Sequence, residues 1–150
     1  MPGAVRKFLR LDRKRQRLFL QAWLRLAGAR YDLRAKPFKE LTADLTLHRP
    51  PFEPAGPGED AVAQAEQIGW AVRTAAAYTP WNSTCLVQVL AAQRMLAERL
   101  LPGAFYLGAA PGETGAAGLD AHAWLKCGDR VITGETGHER FVVVSAFSWL

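Results

Sequence analysis

The stretch from Cys85 to Ala109 reads CLVQVLAAQRMLAERLLPGAFYLGA and predicts a long helix followed closely by a strand. Its apolar residues recur at helical spacing as far as Leu101, where Pro102-Gly103 stops the helix. Ala104–Ala109 then has the apolar character of a short strand. One face of the helix should pack on a sheet, and this face carries Cys85, Val89, Ala92 and Leu96.

The remaining strands are predicted after this stretch. Ala121–Cys127 and Arg130–Gly134 form a hairpin if Gly128-Asp129 is a two-residue turn, and Phe141–Phe147 is a final strand. Helices are predicted before the stretch, over residues 6–30 with a break near Asp12, over Leu33–Leu47 and over Glu59–Tyr78. This order predicts an α+β fold, in which N-terminal helices precede a central helix packed on a small antiparallel sheet.

Charge divides the 150-residue chain near residue 50. Residues 1–50 carry 13 Lys or Arg against 4 Asp or Glu, whereas residues 51–150 carry 6 against 10. We therefore expect a basic helical region over 1–50 and a core over 51–150, together forming a single compact domain. Basic segments attract nucleic acid, anionic lipid or an acidic protein, and charge alone does not choose among these. The first candidates for partner binding are Arg13, Lys14 and Arg17.

The cysteine content and the apolar runs bear on the cellular compartment. Two cysteines are too few for a disulfide framework, and neither a signal peptide nor a transmembrane segment is predicted. We therefore expect a cytoplasmic protein with free thiols. A zinc site built from Cys85, Cys127, His122 and His138 lacks the close ligand spacings that such sites use, so Cys127 is interpreted as packing and no metal is expected.

Cys85 and His122 together are the candidates for chemistry. Ser83 or Thr84 can cap the helix that begins at Cys85, and a helix N-terminus favours a thiolate over a thiol. His122 lies on a predicted strand, where alternation places it on the same face as Trp124. Either residue alone is more often structural, but a thiolate–imidazole pair requires one of each.

A carboxylate to orient His122 is predicted from the hairpin register. If Cys127 pairs with Arg130, the numbers of opposing residues sum to 257, and His122 lies opposite Glu135. A carboxylate there could accept a hydrogen bond from one imidazole nitrogen and leave the other for the thiol. Asp120, two residues before His122, is the second choice.

Several motifs in this order resemble one enzyme family. They are Phe8-Leu-Arg-Leu11, Pro80-Trp-Asn-Ser-Thr-Cys-Leu86, Gln88, Ala91-Ala-Gln93, Leu107-Gly108 and Ala121-His-Ala-Trp124. The chain resembles the leader peptidases of lasso peptide biosynthesis, the B-type proteins of the transglutaminase-like cysteine peptidase superfamily, which has a papain-like core. The resemblance implies that Cys85 is the nucleophile and His122 its histidine. Glu135 stands where the family usually has an aspartate.

The resemblance also implies a substrate and partners. Such enzymes cut a ribosomal precursor between its leader and core, and a separate macrolactam synthetase closes the core. The chain resembles the split form, in which a separate RiPP recognition element protein binds the leader. No cofactor, nucleic acid or membrane span is implied. The candidates for oxyanion and substrate contacts, besides the Cys85 N–H, are Trp81, Asn82, Ser83 and Trp124.

Two alternatives remain open from the residues alone. An acyl transferase on the same scaffold would use the same side chains and pass the thioester to an amine. A non-catalytic basic binding module would leave Cys85 as buried packing. The loop over residues 111–118, rich in glycine, precedes His122 and is expected to border the substrate groove.

Overall fold

The computed structural model describes residues 2–54, 56–112 and 118–149, and within them it has an α+β architecture. The elements in chain order are α1 (Pro2–Leu9), α2 (Arg13–Ala35), α3 (Phe38–Leu41), β1 (Thr46–His48), α4 (Glu59–Ala76), α5 (Cys85–Glu98), β2 (Gly103–Pro111), β3 (Leu119–Cys127), β4 (Arg130–Thr133) and β5 (Val142–Trp149). A 3-10 turn, His138–Arg140, precedes β5. The predicted fold class is confirmed.

The five strands form one antiparallel sheet in the order β1-β5-β2-β3-β4. The main core lies between one face of this sheet and the helices, because alternate strand residues such as Phe105 and Leu125 are fully buried against α5. The predicted apolar face of α5 is buried at Val89, Ala92 and Leu96. Residues 113–117 of the loop predicted over 111–118 lie outside the described residues.

The N-terminal helices pack on this core. The 23-residue helix α2 contacts both α4 and α5, and its buried stripe consists of Leu18, Ala22, Leu26 and Ala29. The predicted break near Asp12 is confirmed, because the Asp12 carboxylate caps α2 by accepting a hydrogen bond of 2.8 Å from the Arg15 backbone N–H. No helix of the described residues is both long and apolar enough to cross a bilayer.

The predicted helix over Leu33–Leu47 is wrong. Helix α2 ends at Ala35, and the short α3 follows Pro37, because a proline disfavours helical backbone in the residue before it. Thr46–His48 is instead an edge strand, with Leu47 paired to Phe147 of β5. The apolar pattern of this segment is too short to distinguish a strand from a helix.

The predicted register of the β3–β4 hairpin is correct only next to the turn. Cys127 pairs with Arg130, but Leu125 pairs with Thr133, because Ile132 is an extra residue that forms a β-bulge. The pairing ends there. The prediction that Glu135 lies opposite His122 is therefore wrong, since the bulge shifts every later residue of the β4 side by one position.

Helix α4 approaches β4 very closely at the bulge. A Cβ atom on Gly69 would lie 2.6 Å from both the Cγ2 atom and the carbonyl oxygen of Ile132, so only glycine fits this position without a shift. The Arg73 guanidinium, one turn further along α4, donates a hydrogen bond to the Ile132 carbonyl. These two contacts hold the bulge against α4 and form one wall of the cleft described below.

Candidate active site

An open cleft of about 760 Å³ lies between α4, the start of α5 and the segment that follows β4. Cys85, His122 and Glu135 all line it. The structure therefore brings the three residues predicted for the catalytic site to one cleft. A cleft of this volume is within the roughly 300–1,000 Å³ range that ligand sites use.

Cys85 is the first residue of α5 and is half-buried against the edge of the main core. The predicted capping is confirmed for Thr84, whose Oγ1 accepts a hydrogen bond of 3.3 Å from the Val87 N–H. The Gln88 side chain donates to the Ser83 carbonyl at 3.0 Å. The thiol therefore lies at a well-anchored helix N-terminus, where the helix dipole stabilises negative charge.

His122 makes a hydrogen bond to a backbone carbonyl. Its Nε2 atom lies 2.7 Å from the carbonyl oxygen of Gly134, the first residue after β4. Because a carbonyl oxygen can only accept, Nε2 carries the proton in this contact. The neutral imidazole then has its lone pair on Nδ1, which is the nitrogen able to act as a base.

Aromatic rings support the imidazole on the face of the sheet turned away from α5. The His122 ring lies 5.8 Å from that of Trp124 and 5.1 Å from that of Phe141, and the shared face of His122 and Trp124 is confirmed. Gly108 pairs with His122, and a Cβ there would lie 2.8 Å from Phe141 and from the Trp124 ring. The pairing of β4 with β3 ends at Leu125, so β3 has no β4 partner at His122. His122 lines the cleft at this free edge of β3.

The two carboxylates considered for orienting His122 lie in different surroundings. Glu135 is exposed in the cleft, and its backbone carbonyl accepts a hydrogen bond of 2.7 Å from Nδ1 of His138. Asp120 is 3.1 Å from the Arg140 guanidinium. Within the described parts of the chain, the hydrogen bond of Nε2 goes to Gly134 and not to Glu135.

The segment before Cys85 is tied to α2. The Trp81 ring meets that of Trp23 edge to face at 5.1 Å, and the Asn82 carbonyl accepts a hydrogen bond of 3.0 Å from Arg30. The Ser83 hydroxyl lies 2.8 Å from that of Thr79. These contacts fix the backbone that leads into α5. Trp124 is 4% exposed, packs on Tyr106 and contacts His122 on the sheet face that both residues share.

Cys127 is a core residue, as its sequence position suggests. It is fully buried, and this burial raises the pKa of its thiol. No group of three His, Cys, Asp or Glu side chains in residues 2–54, 56–112 and 118–149 has the geometry of a metal site. The basic residues Arg13, Lys14 and Arg17 are exposed in the first turns of α2.

Sequence reasoning missed a charged wall of the cleft. Glu66 of α4 and Arg130 of β4 form a salt bridge of 3.0 Å there, and Arg73 lies two turns further along the same face of α4. The seven-residue spacing of Glu66 and Arg73 was a usable signal, because residues i and i+7 share a helix face. The Gly134 carbonyl gave no such signal, because a backbone group has no side-chain motif.

Comparison with protein-family models gives a match over most of the chain. A family model described as the transglutaminase-like superfamily matches residues 22–146, which is 125 of the 150 residues. The match begins within α2 and ends within β5, so it includes every residue of the cleft. No curated protein and no solved structure matched the chain.

Proposed function

Because the chain belongs to the transglutaminase-like superfamily, we propose that it is a cysteine peptidase with Cys85 as nucleophile and His122 as general base. The observation that carries this proposal is the cleft that both side chains line, with the thiol at a capped helix N-terminus. The position of Cys127 favours the choice of nucleophile, since a fully buried thiol with a raised pKa is a poor nucleophile.

The proposed reaction has two stages. The Cys85 sulfur attacks the scissile carbonyl, and the backbone N–H of Cys85 stabilises the oxyanion. Nδ1 of His122 takes the thiol proton and gives it to the leaving amine, so that the C–N bond breaks and a thioester remains. Nδ1 then accepts a proton from water, the hydroxide attacks the thioester, and the thiol is regenerated with the carboxylic product.

In this mechanism the Gly134 carbonyl orients the imidazole ring of His122. It holds Nε2–H and fixes the tautomer, which is what a carboxylate does in a catalytic triad. A carbonyl carries no full negative charge, so it stabilises the imidazolium less than a carboxylate would. Glu135 lines the same cleft and is exposed there.

The proposed substrate is the precursor of a lasso peptide, cut between leader and core. The motif resemblance around Cys85 and His122 supports this substrate, and the superfamily match supports the scaffold alone. The proposed partners are the leader segment, a RiPP recognition element protein and the macrolactam synthetase that consumes the released core. The cytoplasm is the proposed location, because two free thiols suit a reducing compartment.

The test is incubation with the leader-bearing precursor, with and without the recognition protein, followed by mass spectrometry. Wild type should give leader and core, whereas Cys85→Ala and His122→Ala should give no cleavage above background. Cys127→Ala is the matched control, because it removes the other thiol and should leave cleavage intact once its thermal melting shows that it is folded. Cleavage by folded Cys85→Ala would reject the proposal.

The same experiment separates hydrolysis from acyl transfer. A primary amine added at millimolar concentration competes with water for the thioester. Leader carrying a free carboxylate in the presence of the amine supports the peptidase assignment. A leader amide as the main product would instead identify the chain as an acyl transferase, with the same nucleophile and the same base.

A further inference from the structure

A second concave site, here called the apolar groove, lies between α1, α2 and α4. Its volume is about 400 Å³. The side chains that line it include Val5, Phe8, Phe19, Leu20, Trp70 and Tyr78. Val5 and Leu20 are 55% and 53% exposed, so the groove presents large apolar side chains to solvent. Exposed apolar surface that is concave is typical of a binding site.

The groove is held open by contacts among its own walls. The Phe8 and Phe19 rings lie 5.5 Å apart, and the Phe19 and Tyr78 rings lie 6.2 Å apart. The Trp23 indole N–H donates a hydrogen bond of 3.3 Å to the Tyr78 carbonyl. These contacts join α1, α2 and the end of α4, so the shape exists before any partner binds and less ordering entropy is lost on binding.

The segment that contains α1 and the start of α2 is strongly basic. Residues 1–17 carry seven Lys or Arg against one Asp, a net charge of +6. Lys7 lines the groove, and the Arg15 guanidinium lies 5.6 Å from the centre of the Trp70 ring. The ion pairs found among the described residues use other cations, such as Arg94 with Asp32, and none involves these seven side chains.

We propose that the apolar groove binds an acidic amphipathic peptide segment of a partner protein. Apolar side chains of the segment would fill the groove, and its Asp and Glu residues would neutralise the Lys7 and Arg15 rim. The concave shape favours a peptide over an anionic bilayer, because a bilayer surface is flat on this scale and leaves a groove unfilled. The proposal stands whether or not Cys85 is a nucleophile.

The groove and the cleft share helix α4. Trp70 and Thr74 face the groove, whereas Glu66 and Arg73 line the cleft. A segment bound in the groove is therefore held on the far side of one helix from Cys85. This arrangement keeps the partner close to the cleft without occupying it.

The test uses fluorescence anisotropy with three labelled peptides and the full chain. The first peptide has Leu and Phe on one helical face and Glu and Asp elsewhere. The second replaces every acid by Lys, and the third replaces every Leu and Phe by Ser. We expect wild type to bind the first peptide at least about tenfold more tightly than either of the others, with an affinity that falls as salt rises.

Two double variants locate the site. Lys7→Glu/Arg15→Glu and Val5→Ser/Leu20→Ser should each weaken binding of the first peptide about tenfold or more. Val5 and Leu20 are more than half exposed, so their replacement should not disturb folding. Lys36→Glu/Lys39→Glu is the matched control, since both lysines are exposed outside the groove, and it should stay within about twofold of wild type.

Three results would overturn the proposal. One is equal affinity for the three peptides. Another is loss of binding in the control variant to the same extent as in the groove variants, with circular dichroism showing all of them folded. The third is binding to sedimented vesicles of phosphatidylcholine and phosphatidylserine with no binding to the first peptide, which would assign the basic rim to a membrane surface.

Discussion

Nε2 of His122 lies 2.7 Å from the carbonyl oxygen of Gly134, a residue placed there by the bulge at Ile132. This contact predicts the tautomer of His122, with the proton on Nε2. Nitrogen-15 NMR of the three histidines distinguishes the two tautomers directly. A proton found on Nδ1 in the folded chain would contradict both the contact and the direction of proton transfer derived from it.

The same contact predicts a contrast between two neighbouring substitutions. Glu135→Gln removes a charge from the exposed cleft wall and should lower the rate of precursor cleavage less than about fivefold. Gly134→Ala should lower it about 10²-fold, because misplacing an orienting group by about 1 Å has an effect of that size. Gly134 has a φ of +77°, and an added Cβ would lie 2.9 Å from the Cα of Trp124.

Urea unfolding of both variants separates a loss of orientation from a loss of fold. Gly134→Ala should be less stable than wild type but folded, with an altered His122 NMR signal. A large rate loss in Glu135→Gln, with an unchanged His122 signal, would instead assign the orienting role to the carboxylate, as the hairpin pattern in the sequence first suggested.

Thiol alkylation is predicted to be selective for Cys85. Burial raises the pKa of Cys127 and shields its sulfur, so iodoacetamide should label native protein at Cys85 alone and unfolded protein at both positions. His122→Ala should slow the labelling of Cys85 at neutral pH roughly tenfold, because it removes the base that takes the thiol proton.

Peptide mapping by mass spectrometry gives the two rates. His48→Ala is the control, since His48 stacks on Phe52 at the other end of the sheet and does not line the cleft. Equal rates for His122→Ala and His48→Ala would show that the imidazole of His122 does not act on the thiol.

Replacement of glycine by alanine should have opposite effects on stability at Gly28 and Gly69, because α4 lies very close to β4 at Gly69. Alanine in place of a solvent-accessible helical glycine stabilises a helix by about 0.5–1 kcal/mol. Gly28→Ala should behave in this way, because its added Cβ would meet only the Arg94 side chain at 3.7 Å. Gly69→Ala should destabilise the protein by about 1–3 kcal/mol, because its Cβ would press on the Ile132 backbone at 2.6 Å.

Chemical denaturation of the two variants measures both effects. Gly69→Ala should also slow precursor cleavage, since displacement of Ile132 moves the cleft wall and the chain that leads to Gly134. Stabilisation by Gly69→Ala would contradict the packing of α4 on the bulge.

The buried phenol of Tyr106 predicts that the free energy of unfolding decreases at alkaline pH. Burial, and to a smaller extent Glu53, raises the pKa of Tyr106 to about 12. The phenol donates a hydrogen bond of 3.1 Å to the Phe52 carbonyl. Between pH of about 10, where an unfolded tyrosine titrates, and about 12, the folded chain keeps a proton that the unfolded chain loses. Stability should therefore fall with rising pH over this window, by about 3 kcal/mol in total.

Urea unfolding across this pH range tests the effect. Tyr106→Phe should lose the hydrogen bond at every pH but show a shallower alkaline decline. Tyr31→Phe is the control, because Tyr31 is 70% exposed and its removal should leave the decline unchanged. An equally steep decline in Tyr106→Phe would assign the alkaline sensitivity to other groups.

The parts of the fold that sequence predicts are those with a strong local pattern. Helix α5 has a long apolar repeat, a cap at Thr84 and a stop at Pro102, and the hairpin has a two-residue turn. Strand β1 has only three residues, and its pairing with β5 joins positions about one hundred residues apart. Such pairing depends on tertiary contacts that no local pattern carries.

The sequence predicts which side chains form the candidate site, but it does not predict which backbone groups contact them. Cys85 and His122 carry recognisable motifs, and both line the cleft. The bulge at Ile132 depends on Gly69 and Arg73 of a helix about sixty residues earlier, and it decides which group meets the imidazole. Counting from the hairpin turn assigns Glu135 to that position because it takes no account of this distant contact.

Insertion of one residue between Thr133 and Glu135, with the bulge kept, would move the glutamate to the place opposite His122 if the β3–β4 ladder extended that far. A change of one codon would therefore decide whether a backbone carbonyl or a carboxylate orients the imidazole of His122. Gene copies that gain or lose that codon could exchange one form of assistance for the other with no change to Cys85 or His122. Column-by-column alignment of such copies would pair residues that occupy different places in space.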